Sequence, residues 1–237
     1  MRMKSKYKIL CFCLFAALVF LNLGIWQTNR HHEKQEVKKF IDLQMSSPAV
    51  SLNEKQEDFS FRKVSSKGEF LTYVLISGRY FYSEEGYGLI ALFKPGNSDF
   101  HYIVDRGWIS KKRDFDLSYL LNTEINNDGI LVPFDEFTEK ESKPLKEEGG
   151  VAVFSYMDPS SIELHFKKEF PDVKISDFVI LHGSQNKKGQ LIEQIDDRVI
   201  SWWVLPQGSL PHLGYAITWF GLMLTSIFFS VVSYKKQ

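Results

Sequence analysis

Residues 211–232 read PHLGYAITWFGLMLTSIFFSVV, and the rest of the chain is disposed around them. Positions 213–232 are 20 residues without a charge. At a 1.5 Å rise per residue, a helix of that length covers roughly 30 Å, the thickness of a bilayer's hydrocarbon core. The polar groups gather at its start: His212, Tyr215, Thr218 and Trp219. On a helix His212, Tyr215, Ala216, Trp219 and Met223 follow i, i+3, i+4, i+7 and i+11 and share one face. An imidazole at the membrane rim then lies above an aromatic and apolar stripe. Two readings fit those residues: an interfacial belt that packs against another helix, or a ligand set at the rim.

A second apolar run, 9–26, has 18 uncharged residues and follows a stub, 1–8, that carries Arg2, Lys4, Lys6 and Lys8 and no acid. The run is longer than a signal-peptide core, and no small-x-small cleavage site follows it, so we expect an uncleaved anchor. The basic stub and the terminal Lys235 and Lys236 predict that both termini are cytoplasmic and the middle of the chain lies outside. The expected organisation is a cytoplasmic stub (1–8), a first transmembrane helix (9–26), a periplasmic domain (27–211), a second transmembrane helix (212–232) and a cytoplasmic tail (233–237). The setting is a bacterial inner membrane crossed twice, with membrane lipid as the first partner.

This topology has a geometric consequence. The outer ends of the two helices lie at one membrane depth, so Trp26, Gln27, His212 and Trp219 converge if the helices pack. Gly24 and Gly214 permit a close approach there. Beyond the first run, 30–45 is expected to continue as a helix with Val37, Phe40 and Ile41 as a narrow apolar stripe, ended by Ser46-Ser47-Pro48. His31 and His32 are neighbours and do not share a helix face, so they read as a solvated pair.

From Phe59 the pattern changes to runs rich in Val, Ile, Phe, Tyr and Trp: 70–81, 87–93, 100–108, 130–134, 151–156, 173–181, 190–195 and 199–205. Lys94-Pro95-Gly96-Asn97 reads as a turn, Asn127-Asp128-Gly129 as the opening of a strand, and Lys187-Lys188-Gly189 as a hairpin tip. One helix interrupts, with Asp158 as N-cap, Pro159 at its first position, Ile162 and Phe166 as its core face and Pro171 as its stop. Residues 135–150 read as a charged, mobile loop. The fold class is α+β: two transmembrane helices flank one β-rich outer domain, an antiparallel sheet or partly closed barrel with one or two helices.

Lys plus Arg number 29 and Asp plus Glu number 29, a balance that argues against a nucleic-acid partner. The two cysteines, Cys11 and Cys13, both lie in the first apolar run, so the outer domain has neither disulfide nor thiol nucleophile. There is no Gly-x-Ser-x-Gly elbow, His-Glu-x-x-His, Cys-x-x-Cys or phosphate-binding glycine loop, and His101, His165 and His182 are scattered singly. The residues do not indicate an enzyme. Asp105-Arg106-Gly107-Trp108 ends a strong strand, either to grip an anionic group or to fix the strand by an ion pair and a packed ring.

Three stretches resemble the surfeit locus protein 1 family, the assembly factors of haem-copper cytochrome c oxidase. Leu23-Gly24-Ile25-Trp26-Gln27-Thr28-Asn29-Arg30 is similar to the family's Leu-Gly-x-Trp-Gln-x-x-Arg after its first helix. Tyr102-Ile103-Val104-Asp105-Arg106-Gly107-Trp108-Ile109 resembles its Val-x-Arg-Gly-Trp-Val strand, and Ser77-Gly78-Arg79-Tyr80 with Gly86-Tyr87 the segment before it. Positions 212–222 resemble its His-Leu-x-Tyr-Ala-x-Thr-Trp-Phe-Gly-Leu. The chain departs from the family pattern at Asp105, often Asn, at Ser110, often Pro, and in lacking Asn just before His212.

The resemblance implies a role in maturing oxidase subunit I by handling haem a, with subunit I and the haem a synthesis machinery as partners. His212 would be the axial ligand to haem iron. Trp26, Tyr215 and Trp219 would wall the site, Gln27 would meet a polar haem edge and Arg30 a propionate. Without haem, the same residues are compatible with a membrane-tethered protein-binding scaffold or a small-ligand sensor.

Overall fold

The computed structural model describes residues 5–52, 59–81, 83–96, 98–111, 121, 125–137, 142–183, 190–194, 199–204 and 211–235. It divides into two compact units, one formed by Met1–Phe40 with Pro206–Gln237 and the other by Ile41–Leu205.

The first unit is a helix pair. Helix α1 runs Ser5–Ser46 and helix α3 runs Pro211–Lys235. Pro211 occupies the first helical position, where its missing N–H costs nothing. Among the described residues these are the two helices long and apolar enough to cross a membrane. A core helix of a soluble protein would hide such side chains. Here Phe12 is 71% exposed, Phe15 66%, Ile217 66% and Phe228 65%, which are faces suited to lipid. The continuation of α1 past the apolar run and its end at Ser46 follow the expectation from Ser46-Ser47-Pro48. Of the expected stripe, Ile41 is fully buried, while Val37 and Phe40 are exposed.

The second unit is built on nine strands among the described residues: β1 Lys63–Phe81, β2 Glu84–Pro95, β3 Phe100–Ser110, β4 Ile125–Pro133, β5 Pro144–Glu148, β6 Val151–Phe154, β7 Lys174–His182, β8 Gln190–Gln194 and β9 Val199–Val204. One helix, α2 (Pro159–Glu169), packs with them. The pairings run β1–β2–β3–β7–β4 and return to β1. Such a circuit leaves these five strands no free edge. It closes because β1 is long and bent: Lys63–Gly68 pairs with β4, and Gly68–Phe81 pairs with β2, with register shifts at Phe70/Thr72 and Ile76/Arg79. Gly78 sits in the second shift at φ +69°, a left-handed conformation that glycine adopts without strain.

Both faces of the circuit are buried. Ile90, Leu92, Ile103, Ile130, Val132, Val179 and Leu181 face one cluster, which also takes Ile162 and Phe166 of α2 and Ile41. Their sequence neighbours Ala91, Phe93, Tyr102, Val104, Leu131 and Ile180 face the other. Burial on both sides is why the runs read as nearly continuous apolar sequence rather than alternation.

Four expectations are corrected. The sheet is mixed, because β3 with β7 and β1 with β6 pair in parallel. Asn127-Asp128-Gly129 lies inside β4, paired with β1, rather than opening a strand. Part of the charged loop is a strand: Pro144–Glu148 pairs antiparallel with β6 as an exposed edge, with Glu148 turned to accept from the Tyr87 hydroxyl. Asp158 stands at the N-cap of α2 but makes no side-chain cap. Its buried carboxylate instead accepts from the Ser142 amide at 3.2 Å and from the Ser161 hydroxyl, fastening the approach to β5. The expected hairpin tip at 187–189 lies outside the described residues.

Candidate functional site

The seam between α1 and α3 can be followed from the Gln27–His212 end toward the two chain termini. Gln27, Gly24, Phe20 and Ala17 recur at helical spacing on α1, and His212, Ala216, Trp219, Met223 and Ile227 on α3. At that end the His212 ring Nδ1 lies 2.7 Å from Gln27 Oε1. One turn further in, Phe220 covers Gly24: a Cβ added at Gly24 would come within 2.6 Å of the Phe220 ring. Any side chain there would push the helices apart. The Phe20 and Trp219 rings stack, with centroids 5.8 Å apart and planes at 22°. Ala216 and Ala17 are buried in the seam, at 2% and 6% exposure. Deeper still, Leu14, Ala17, Leu18, Leu21, Met223 and Ile227 line an apolar groove of about 310 Å³.

The residues singled out from sequence therefore occupy different situations. Gln27 and His212 are in direct contact. Trp219 lies one to two turns inward, with its ring face on Phe20. Trp26 and Tyr215 are more than half exposed on the outside of the pair. Arg30 is exposed and bonds Glu33 at 2.9 Å, a surface pair that holds the guanidinium weakly. Phe20 and Phe220 are contributors that the reading of the sequence passed over. Counting back from Gln27 in steps of three and four on α1 would have found Phe20.

The chemistry of the His212–Gln27 contact follows from its donors. With the amide oxygen facing the ring, Nδ1–H is the donor, and a neutral imidazole then carries its lone pair on Nε2. No described residue reaches Nε2. This is the arrangement in which a metal-binding histidine is usually found: one ring nitrogen holds an outer acceptor and the other is free to bind. Thr218 and Thr225 do not compete, because their hydroxyls donate to the Gly214 and Gly221 carbonyls of their own helix.

The second unit holds the other sequence motif. Asp105 and Arg106 do not pair, because neighbours on a strand point to opposite faces. Arg106 is buried, 2% exposed, with its guanidinium 4.4 Å from the centre of the Phe70 ring. Asp105 accepts from the Gly107 amide at 3.0 Å. Burial holds its carboxyl above the ordinary range, partly offset by Arg79 and by that amide. The Trp108 indole donates to the Arg79 carbonyl at 3.3 Å and packs against Phe81. The space between Arg79, Gly88, Asp105, Gly107 and Trp108 is only about 10 Å³, too small for an anionic ligand. His182 is buried, and desolvation together with Arg106 pushes its pKa down to about 4. His165 lies edge-on to Phe154, and burial lowers the pKa of half-buried His101. Among the described residues no group of three or more His, Cys, Asp or Glu side chains could hold a metal ion.

A β unit joined to a helix pair, with an imidazole at the outer end of the pair, is the class of protein that this architecture defines. The chain belongs to the SURF1 family, a family of cytochrome oxidase assembly factors, whose family model matches residues 14–224. It is 26% identical to a SURF1-like protein of Rickettsia felis over 94% of this chain and 95% of that protein. A SURF1-like protein of Rickettsia prowazekii is also 26% identical, over 95% of this chain and 89% of the relative. One from Rickettsia conorii is 34% identical over 45% of each chain.

Proposed function

We propose that the chain is an inner-membrane assembly factor for haem-copper cytochrome c oxidase that binds haem a at the outer end of its helix pair and assists insertion into subunit I. In this reading both termini are cytoplasmic and the β unit is periplasmic. The observation that carries it is the His212 imidazole, held through Nδ1 by Gln27 and free at Nε2. The donor set fits haem: the free imidazole nitrogen would hold the iron, the exposed rings of Trp26 and Tyr215 could lie against a macrocycle, and Trp219 would back the site through its stack on Phe20. Arg30 is near enough in sequence, less than a turn beyond Gln27, to meet a propionate. Bound haem would supply the iron to be delivered. The chain's own residues orient the imidazole, shield it on the membrane side and leave it open on the other, which favours exchange over permanent retention.

The test is optical. Protein purified in detergent from cells that make haem a should show a Soret band. His212→Ala should remove or shift the band while the protein remains inserted, and Trp219→Ala should weaken binding by less. Wild-type haem content in His212→Ala would end the ligand assignment and leave a scaffold acting by protein contacts. Deletion should lower assembled oxidase without lowering haem synthesis. A phosphatase reporter fused after Gly150 should be active only if the β unit is outside.

A further inference from the structure

The sequence reading assigns Gln27 to a haem edge, but the structure occupies its amide oxygen with the His212 ring. We infer that Gln27 is a positioning residue for His212: it selects the Nδ1–H tautomer, aims Nε2 away from the seam, and keeps the imidazole a neutral, moderate donor so that a bound haem can be released. This rests on the haem reading for its last clause and on the 2.7 Å contact for the rest.

The physical steps are short. A neutral imidazole free in water carries its proton mainly on the other nitrogen, so a partner is needed to hold the Nδ1–H form. Among the described residues the acceptor supplied is an uncharged amide. A carboxylate in the same place would draw the proton toward itself, give the ring imidazolate character and tighten the bond to ferric iron. An apolar residue would leave the ring free to turn and to carry its proton on Nε2, which cannot then bind. Gln lies between these limits, as delivery rather than storage requires. Gln27 is held in register by the close packing at Gly24 one turn below.

Two measurements test this. In the full-length protein without haem, nitrogen NMR of His212 should show the Nδ1–H tautomer, and Gln27→Leu should move it toward Nε2–H. That result needs no haem, so it decides the positioning role even if the haem reading fails. An Nε2–H tautomer in the wild type, or no change in Gln27→Leu, would overturn the inference and imply that the amide nitrogen faces the ring.

The second measurement uses protein loaded with ferric haem a and follows transfer to excess apomyoglobin, together with the midpoint potential. Gln27→Leu should release haem about 10- to 100-fold faster, the range for losing an outer partner of a metal-bound histidine. Gln27→Glu should release it more slowly and lower the potential. Opposite shifts from two substitutions at one position are not produced by mere loss of packing. Shifts of the same sign in both would reject the role of the neutral amide.

Discussion

The Gln27–His212 end of the helix pair and the Asp105–Trp108 bulge within β3 carry similar residue types: a tryptophan, a glycine, a cationic or ionisable side chain and a polar partner. They use them in opposite ways. Around β3 the named groups are engaged within the strand and its neighbours, with Arg106 on Phe70, Asp105 on the Gly107 amide and the Trp108 indole on the Arg79 carbonyl. At the helix pair one ring nitrogen is satisfied and the other is left open. A cluster of polar and aromatic residues is thus a binding site only where a donor or acceptor is open to an incoming group, and a motif packed too tightly to admit one is a fastening.

The sharpest way to break this contrast is to remove one member from each region and read both haem binding and stability. His212→Ala should abolish the haem titration while leaving denaturant unfolding of the β unit unchanged. A loss of stability there would mean that His212 is also a fastening.

The next effect is a pH dependence confined to the β unit. His182 titrates near 4 when folded, below the ordinary value of about 6.5, so between these limits the unfolded chain binds more protons. Stability contributed by keeping the ring neutral is complete above about pH 6.5 and falls as pH drops toward 4, by about 3 kcal/mol in all. Urea midpoints measured across that range should fall accordingly, and His182→Gln should flatten the profile.

Arg106→Ala should cost about 2 kcal/mol, since it empties the space over Phe70 and removes a desolvated cation–π contact. The haem titration should not move. If the titration weakens while stability holds, the β3 motif belongs to ligand handling and the contrast fails.

The smallest change is expected at Asp105. Its carboxyl is raised by burial, so the folded state binds the proton more tightly than the unfolded state, and the residue weakens the fold as pH rises through that range. Asp105→Asn keeps an oxygen for the Gly107 amide and removes the burial cost. Stability at neutral pH should stay within about 1 kcal/mol of wild type or rise, as read from thermal unfolding.

Much of this was legible in the chain. Two uncharged runs of membrane length, a proline at the start of α3, the Ser46-Ser47-Pro48 stop and the Pro159 helix start are local facts, each set by the few residues involved. So was most of the face expected for His212, Tyr215, Ala216, Trp219 and Met223, because helical spacing needs no partner, although Tyr215 turns out more than half exposed. Strand 144–148 was not legible. Three of its five residues are charged, and it is a strand only because the apolar β6 pairs with it. The parallel pairing of β3 with β7 was hidden for a similar reason, since both strands are buried on two faces and carry no alternation that marks direction.

Sequence by itself determined the two helices, the β character of the middle and the presence of an imidazole at the start of the second apolar helix, since hydropathy and periodicity act over a handful of neighbours. Only the tertiary structure decided what each polar group does. Gln27 and His212 are 185 positions apart, and Arg106 meets a ring 36 positions away rather than the aspartate beside it. Hydrogen bonds and ring contacts act over about 3 to 6 Å, a distance the packed helices and the closed strand circuit set and the order of residues does not.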